Sequence, residues 1–94
     1  MATSTEKRVA IVTGAGQGIG HAIALRLAID GYNVVVNDIP SNKANLDATT
    51  ELISQKTGRN SLGILGDVSK EDDVILLVQK TVTEFGGLDV VCSH

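Results

Sequence analysis

Thr13-Gly14-Ala15-Gly16-Gln17-Gly18-Ile19-Gly20 follows directly on an apolar run, Val9-Ala10-Ile11-Val12, and leads directly into an amphipathic stretch, Ile19 to Ile29. The glycines therefore sit at a strand-to-helix corner. Lacking a Cβ, glycine can take φ > 0 and lets a ligand come close to the backbone, while the free N–H groups and dipole of the following helix favour negative charge. Such a corner can hold a phosphate.

Spacing narrows the possibilities. The generic dinucleotide fingerprint, G-x-G-x-x-G, requires a third glycine where this chain has Ile19 or His21, and a Walker loop requires a lysine that does not occur between Lys7 and Lys43. What is present, Thr13-Gly14-x-x-x-Gly18-x-Gly20, resembles the cofactor loop of the short-chain dehydrogenase/reductase family. The alternative is a glycine-rich turn that binds nothing; the strand before, the helix after and an acid further along weigh against it.

With 94 residues and 43% hydrophobic content, the chain can form one domain with one core. One Phe, one Tyr and no Trp make that core aliphatic and leave no stacking platform for bases. A net charge of −3 with interspersed signs argues against nucleic acid or an anionic membrane as partner. No apolar run approaches the ~20 residues of a membrane span. Met1 to Lys7 is polar, lacks the apolar centre of a signal peptide, and reads as a disordered lead-in. Cys92 is the sole cysteine, lies in an apolar run and reads as a small buried hydrophobe. These features point to a reducing, cytoplasmic setting.

Apolar β-branched runs alternate with helical patterns along the chain, which is the signature of parallel βαβ units. Strands are expected at 8–13, around Val34-Val35-Val36 up to Asn37-Asp38, at 61–66 and at 88–92. The first helix is expected from about Gly18 to Asp30, with Ile19, Ala22, Ile23, Leu27 and Ala28 facing inward and Gly31 as its left-handed cap. The second runs from Ala44 to about Lys56, after a break at Pro40-Ser41, burying Leu46, Thr49, Leu52 and Ile53 and stopping at Gly58. The third opens on a capping box, Ser69-Lys70-Glu71-Asp72, and runs to Phe85, its buried stripe being Val74, Leu77, Val78, Thr81, Val82 and Phe85. Gly86-Gly87 ends it. Right-handed crossovers then give strand order 3-2-1-4, with the first two helices on one sheet face and the third alone on the other. The fold class is α/β, a partial Rossmann-type doubly wound parallel sheet, β-α-β-α-β-α-β, occupying 1–94 as a single domain.

The crevice at the topological switch lies over the glycine loop, and further residues fit a dinucleotide there. Asp38 ends strand two, 18 positions after Gly20, where a carboxylate can accept both hydroxyls of an adenosine ribose and would repel a 2′-phosphate. Neither Asn37 nor Ile39 offers a cation to hold such a phosphate, so NAD is favoured over NADP. Without the glycine loop, Asp38 would read as an ordinary strand-end aspartate. His21 follows the loop, exposed or near phosphate, and neither it nor His94 has a metal-ligand spacing or a dyad partner.

The family resemblance extends from Arg8 to about Cys92. It implies cofactor contacts at Gly14, Gln17, Gly18, Ile19 and Gly20, at Asp38, and at Asp67 and Val68, which would line the adenine site. The other reading of Asp67 is that it only helps to start the helix at Ser69. Within the family, residues 13–20 together with 34–39 resemble the NAD-dependent acetoin or 2,3-butanediol reductase type. The resemblance implies hydride exchange between a nicotinamide cofactor and an alcohol or carbonyl, in proteins of about 250 residues. After the fourth strand, family members carry Asn-Asn-Ala-Gly or Asn-Ala-Gly, then the catalytic Ser and Tyr-x-x-x-Lys. Here Ser93-His94 stands instead, and Tyr32 is followed four residues on by Val36. The expectation is a cofactor-binding half that is inactive alone, with the apolar edge of 88–92 open to self-association or pairing. The alternatives are a non-catalytic module that pairs with a full-length relative, and an incomplete gene model of an active dehydrogenase.

Overall fold

The computed structural model describes residues 8–59 and 61–93; the lead-in expected over Met1 to Lys7 and the terminal His94 lie outside them. Four strands alternate with helices: β1 (Val9–Thr13), α1 (Gly18–Ile29), β2 (Asn33–Asp38), a 3₁₀ turn (Pro40–Asn42), α2 (Lys43–Thr57), β3 (Leu62–Leu65), α3 (Glu71–Phe85) and β4 (Val90–Cys92). All pairings are parallel and the order is β3-β2-β1-β4, as the alternation predicts.

Continuous apolar runs form β1 and β2 because both faces of these central strands are covered. Every residue of β1 is buried, as are the last five of β2. Alternate side chains go to opposite faces. Val12, Val34 and Val36 pack with Ala24 and Ala28 of α1 and with Leu46 and Ile53 of α2. Ile11, Val35 and Ile64 pack with Leu77 of α3. Two helices thus share one face and α3 lies on the other.

The helices deviate from the sequence pattern in instructive ways. On α1 the buried line is Gly20, Ala24 and Ala28; Ile23 and Leu27 flank it half-buried, whereas Ile19 is 62% exposed and Ala22 is exposed too. Small residues let α1 lie close to the sheet, which rotates the expected stripe towards them. Gly31 takes φ +105° after the helix, as expected of its cap. On α2, Leu46, Thr49 and Ile53 are buried and Leu52 is half-buried, with Gly58 the left-handed C-cap. Pro40 opens a 3₁₀ turn rather than simply breaking the chain.

The capping box at Ser69 does not form. Lys70 occupies the N-cap without a side-chain bond, and the Ser69 hydroxyl donates instead to Asp67 Oδ1 at 2.7 Å. A charged carboxylate two residues back outcompetes the helix N–H groups for that hydroxyl. On α3, Leu77 and Thr81 are buried and Val74 and Phe85 half-buried, but Val78 and Val82 of the expected stripe are exposed. Only the inner half of the stripe meets the sheet. The strand expected over 88–92 is shorter, because Asp89 gives its N–H to the Val9 carbonyl and its carboxylate takes the Val9 N–H.

The α1/α2 side of the sheet is the best-packed part of the fold. Leu46→Ala, in that core, should cost about 2–5 kcal/mol of unfolding free energy, whereas Val82→Ser on the exposed flank of α3 should stay within about 0.5 kcal/mol. Urea titration followed by circular dichroism measures both.

Candidate functional site

The carboxyl ends of β1, β2 and β3 meet the turn 14–17 and the first turn of α1. Gly14 and Gly18 take φ +64° and +63°, conformations in which other residues are strained. Gly20 is required for a different reason: a Cβ there would run into the backbone carbonyl of Gly14. The helix therefore starts hard against the turn that precedes it.

Helix α1 begins without a side-chain cap and without an acid in its first turn. The N–H groups of Gly18, Ile19 and Gly20 have no partner among the described residues. By contrast, α3 carries Glu71, Asp72 and Asp73 in its first turn, and Asp73 Oδ2 accepts the Asp67 N–H at 2.9 Å. The positive end of α3 is thus compensated from within, while that of α1 remains for an outside anion.

Beside the loop lies a cleft of about 160 Å³ lined by Thr13, Gly14, Asn37, Asp38, Ile39, Gly66, Asp67 and Val68. It brings together Gly14, Asp38, Asp67 and Val68 from the sequence-predicted set. Gln17, Gly18 and Ile19 are exposed on the adjoining turn, and Gly20 is buried beneath them. Gln17 Oε1 accepts a hydrogen bond from Asn45 Nδ2 of α2 at 3.3 Å. His21 is half-buried and its Nδ1 lies 2.8 Å from Thr49 Oγ1, so the ring is anchored to α2. Tyr32 packs against the α1/α2 core and lies away from the cleft.

Asp38 is 8% exposed and has two roles visible in its bonds. Oδ2 accepts the Gly16 N–H at 2.9 Å and Oδ1 accepts the Ile39 N–H at 2.8 Å. A carboxylate offers about four acceptor positions, so these two bonds leave capacity for a ligand's hydroxyls. Sequence reasoning expected Asp38 to face a ligand and missed its hold on the loop, since nothing in the sequence pairs positions 16 and 38. It also missed Asn37, whose buried Nδ2 donates to the carbonyls of Ile64 and Gly66 and so fixes the floor of the cleft.

Asp67 Oδ1 takes both the N–H and the hydroxyl of Ser69, and Oδ2 accepts no bond from the described residues. The Ser69 hydroxyl, then the Ser69 N–H, with help from the Lys70 charge, hold the Asp67 carboxyl below the usual carboxylate range. Asp67 therefore shapes the turn before α3 and also lines the cleft, so its two sequence readings are compatible. No cluster of metal-ligating side chains occurs among the described residues.

The family model described as short chain dehydrogenase matches residues 8–93. A short-chain dehydrogenase/reductase of Armillaria gallica is 52% identical over 90 residues, which make up 95% of this chain and 34% of that protein. A 3-oxoacyl-[acyl-carrier-protein] reductase of Staphylococcus aureus is 42% identical over 85 residues, 90% of this chain and 34% of that one. Among solved structures, an alcohol dehydrogenase from Thermococcus sibiricus complexed with 5-hydroxy-NADP superposes with a TM-score of 0.82 at 36% identity, covering 92% of this chain and 36% of that one. The chain spans about a third of the length of the curated relatives it matches.

Two outcomes follow from this geometry. Gly20→Ala should cost about 1–3 kcal/mol through the clash with the Gly14 carbonyl, read by chemical denaturation. Ser69→Ala should raise the Asp67 pKa towards the ordinary carboxylate value, read by an NMR pH titration of its side-chain carbon. Because the folded-state pKa is the depressed one, the Ser69 bonds favour the folded state above the ordinary carboxylate pKa, and that contribution disappears as pH falls through the folded value.

Proposed function

The chain belongs to the short-chain dehydrogenase family, and on that premise we propose that it is the nucleotide-binding part of an oxidoreductase, taking NAD in preference to NADP. The observation that carries this reading is the pairing of an uncompensated helix N-terminus at Gly18 to Gly20 with the Asp38 carboxylate in the adjoining cleft. In this assignment the N–H groups of Gly18, Ile19 and Gly20 hold the pyrophosphate, with Gln17 at the lip of the loop. Asp38 accepts the hydroxyls of the adenosine ribose. Val68 offers an apolar surface to the adenine, and Asp67 Oδ2 accepts from its amine. Thr13, Gly14 and Asn37 form the floor.

The preference for NAD rests on charge. A 2′-phosphate would stand against the Asp38 carboxylate, whose loss of hydration in a largely buried position makes a like charge costly. The cofactor, when bound, supplies a nicotinamide that accepts or gives up a hydride. None of the described residues in the cleft is placed to protonate the resulting alkoxide, so the binding of this chain is proposed to be separable from turnover. The likeness of 13–20 and 34–39 to the acetoin or 2,3-butanediol reductase type makes 2,3-butanediol the first substrate to try.

We also propose a site of association. On the α3 side, Val78, Val82 and Val91 are exposed, and a hollow of about 290 Å³ between β4 and α3 is lined by Ile11, Val68, Val74, Leu77, Val78 and Val91. Beside it β4 is the outer strand of the four-stranded sheet among the described residues. Pairing of that edge with another strand, from a second copy or a longer relative, would bury this surface. Among the described residues no helix is long and apolar enough to cross a membrane, and the lone cysteine fits a cytoplasmic protein.

Thermal unfolding with each cofactor tests the central claim. NAD at about 100 times its Kd should stabilise the chain by about 2.7 kcal/mol, with NADP much less effective at equal concentration. Asp38→Asn, which keeps an acceptor for the Gly16 N–H but removes the charge, should narrow that difference. Equal stabilisation by the two cofactors would overturn the NAD assignment.

A further inference from the structure

One buried hydroxyl connects α2 to the phosphate-binding loop. Thr49 is 0% exposed, and its Oγ1 lies 3.0 Å from the Ala15 carbonyl oxygen, 3.1 Å from that of Asn45 and 2.8 Å from His21 Nδ1. Threonines in helices commonly bond the carbonyl four residues back. Thr57 and Thr81 do so here, at 2.7 and 2.8 Å, and neither reaches the loop. The contact of Thr49 with Ala15, across 34 positions, is therefore not accounted for by helical back-bonding.

The partners of Thr49 define what it holds. The carbonyl of Ala15 and the N–H of Gly16 are two ends of a single peptide unit. Thr49 takes the oxygen end and Asp38 Oδ2 takes the N–H end, at 2.9 Å. The preceding N–H, of Ala15, goes to the Asn37 carbonyl at 2.9 Å. A flip of the Ala15–Gly16 peptide would set a carbonyl oxygen against the Asp38 carboxylate and leave the Thr49 hydroxyl without its loop acceptor. A hydroxyl has one proton and two lone pairs; with the proton given to the carbonyls, the oxygen is free to accept from His21 Nδ1–H in the tautomer that protonates Nδ1. The same oxygen thus ties the loop before Gly16 to the first turn of α1.

We propose that Thr49 is a positioning residue for the pyrophosphate of the dinucleotide. The proposal rests on the cofactor reading above. Its hydroxyl locks the Ala15–Gly16 peptide, and through that peptide the N–H groups of Gly18 to Gly20, in the arrangement that receives phosphate. A loop with this many glycines has many conformations to lose on binding, and a clamp at both ends of one peptide removes much of that loss beforehand.

The test compares ligands with and without phosphate on the full chain. Dissociation constants for NAD, ADP and adenosine are measured by NMR titration for the wild type, Thr49→Val and Thr49→Ser. Removing the hydroxyl leaves a buried carbonyl unpaired, and Thr49→Val is expected to weaken NAD and ADP about tenfold. Adenosine should bind as before, and Thr49→Ser should restore the phosphate ligands. Unchanged NAD and ADP affinity in Thr49→Val, or an equal loss for adenosine, would overturn the proposal while leaving the cofactor reading intact. Failure of the wild type to bind any of the three ligands would overturn both. If Thr49→Val does not fold, Thr49→Ala replaces it, with the same loss for NAD and ADP and none for adenosine expected.

Discussion

The close approach of Gly20 to the Gly14 carbonyl is the constraint on which the site depends. It brings the N-terminus of α1 down onto the turn that leaves β1, so that the helix dipole and its uncapped N–H groups open at the carboxyl end of the central strands. The same proximity explains the small residues at Gly20, Ala24 and Ala28, which let the helix run close over Val12 and Val34. A bulkier inward stripe would lift α1 off the sheet and move its N-terminus away from the cleft. Core packing and the placement of the uncapped helix N-terminus are therefore set by one short distance.

Neighbouring elements then stabilise a loop that glycine alone would leave mobile. β2 contributes the Asn37 carbonyl and the Asp38 carboxylate, and α2 contributes Asn45 and Thr49. Asp38 acts both on the backbone and at the wall of the cleft, which joins loop geometry to the shape of the cleft. The contrast between the two helix starts has the same origin in local charge. Acids in the first turn of α3 neutralise its N-terminus, and their absence from α1 leaves the field there for a ligand.

The strand positions, strand order and helix sides were legible because buried parallel strands need unbroken apolar runs, and because crossover handedness restricts the topologies. That Gly14, Asp38, Asp67 and Val68 would come together in one cleft was legible because their elements end in the same row. Local competition was harder to read. Ser69 has the sequence of a cap, yet Asp67 lies close enough to take its hydroxyl, and a spacing rule does not weigh two acceptors against each other. Ile19 has the hydrophobicity of a core residue, yet the small-residue face of α1 is the one that fits the sheet, leaving Ile19 at the lip of the loop.

By itself the sequence determined the alternation of strand and helix, the glycine corner, the carboxylate at the end of β2 and the membership of the chain in its family. Each of these is local, a matter of period, conformational freedom or residue type within a few positions. Only the tertiary structure decided that Asp38 would hold Gly16, that Thr49 would hold Ala15 and His21, and that Asn37 would fix the end of β3. Those bonds span 22 to 34 positions. They exist because the parallel sheet lines up the carboxyl ends of its strands and lays α2 beside α1, bringing together polar groups whose proximity no local pattern encodes.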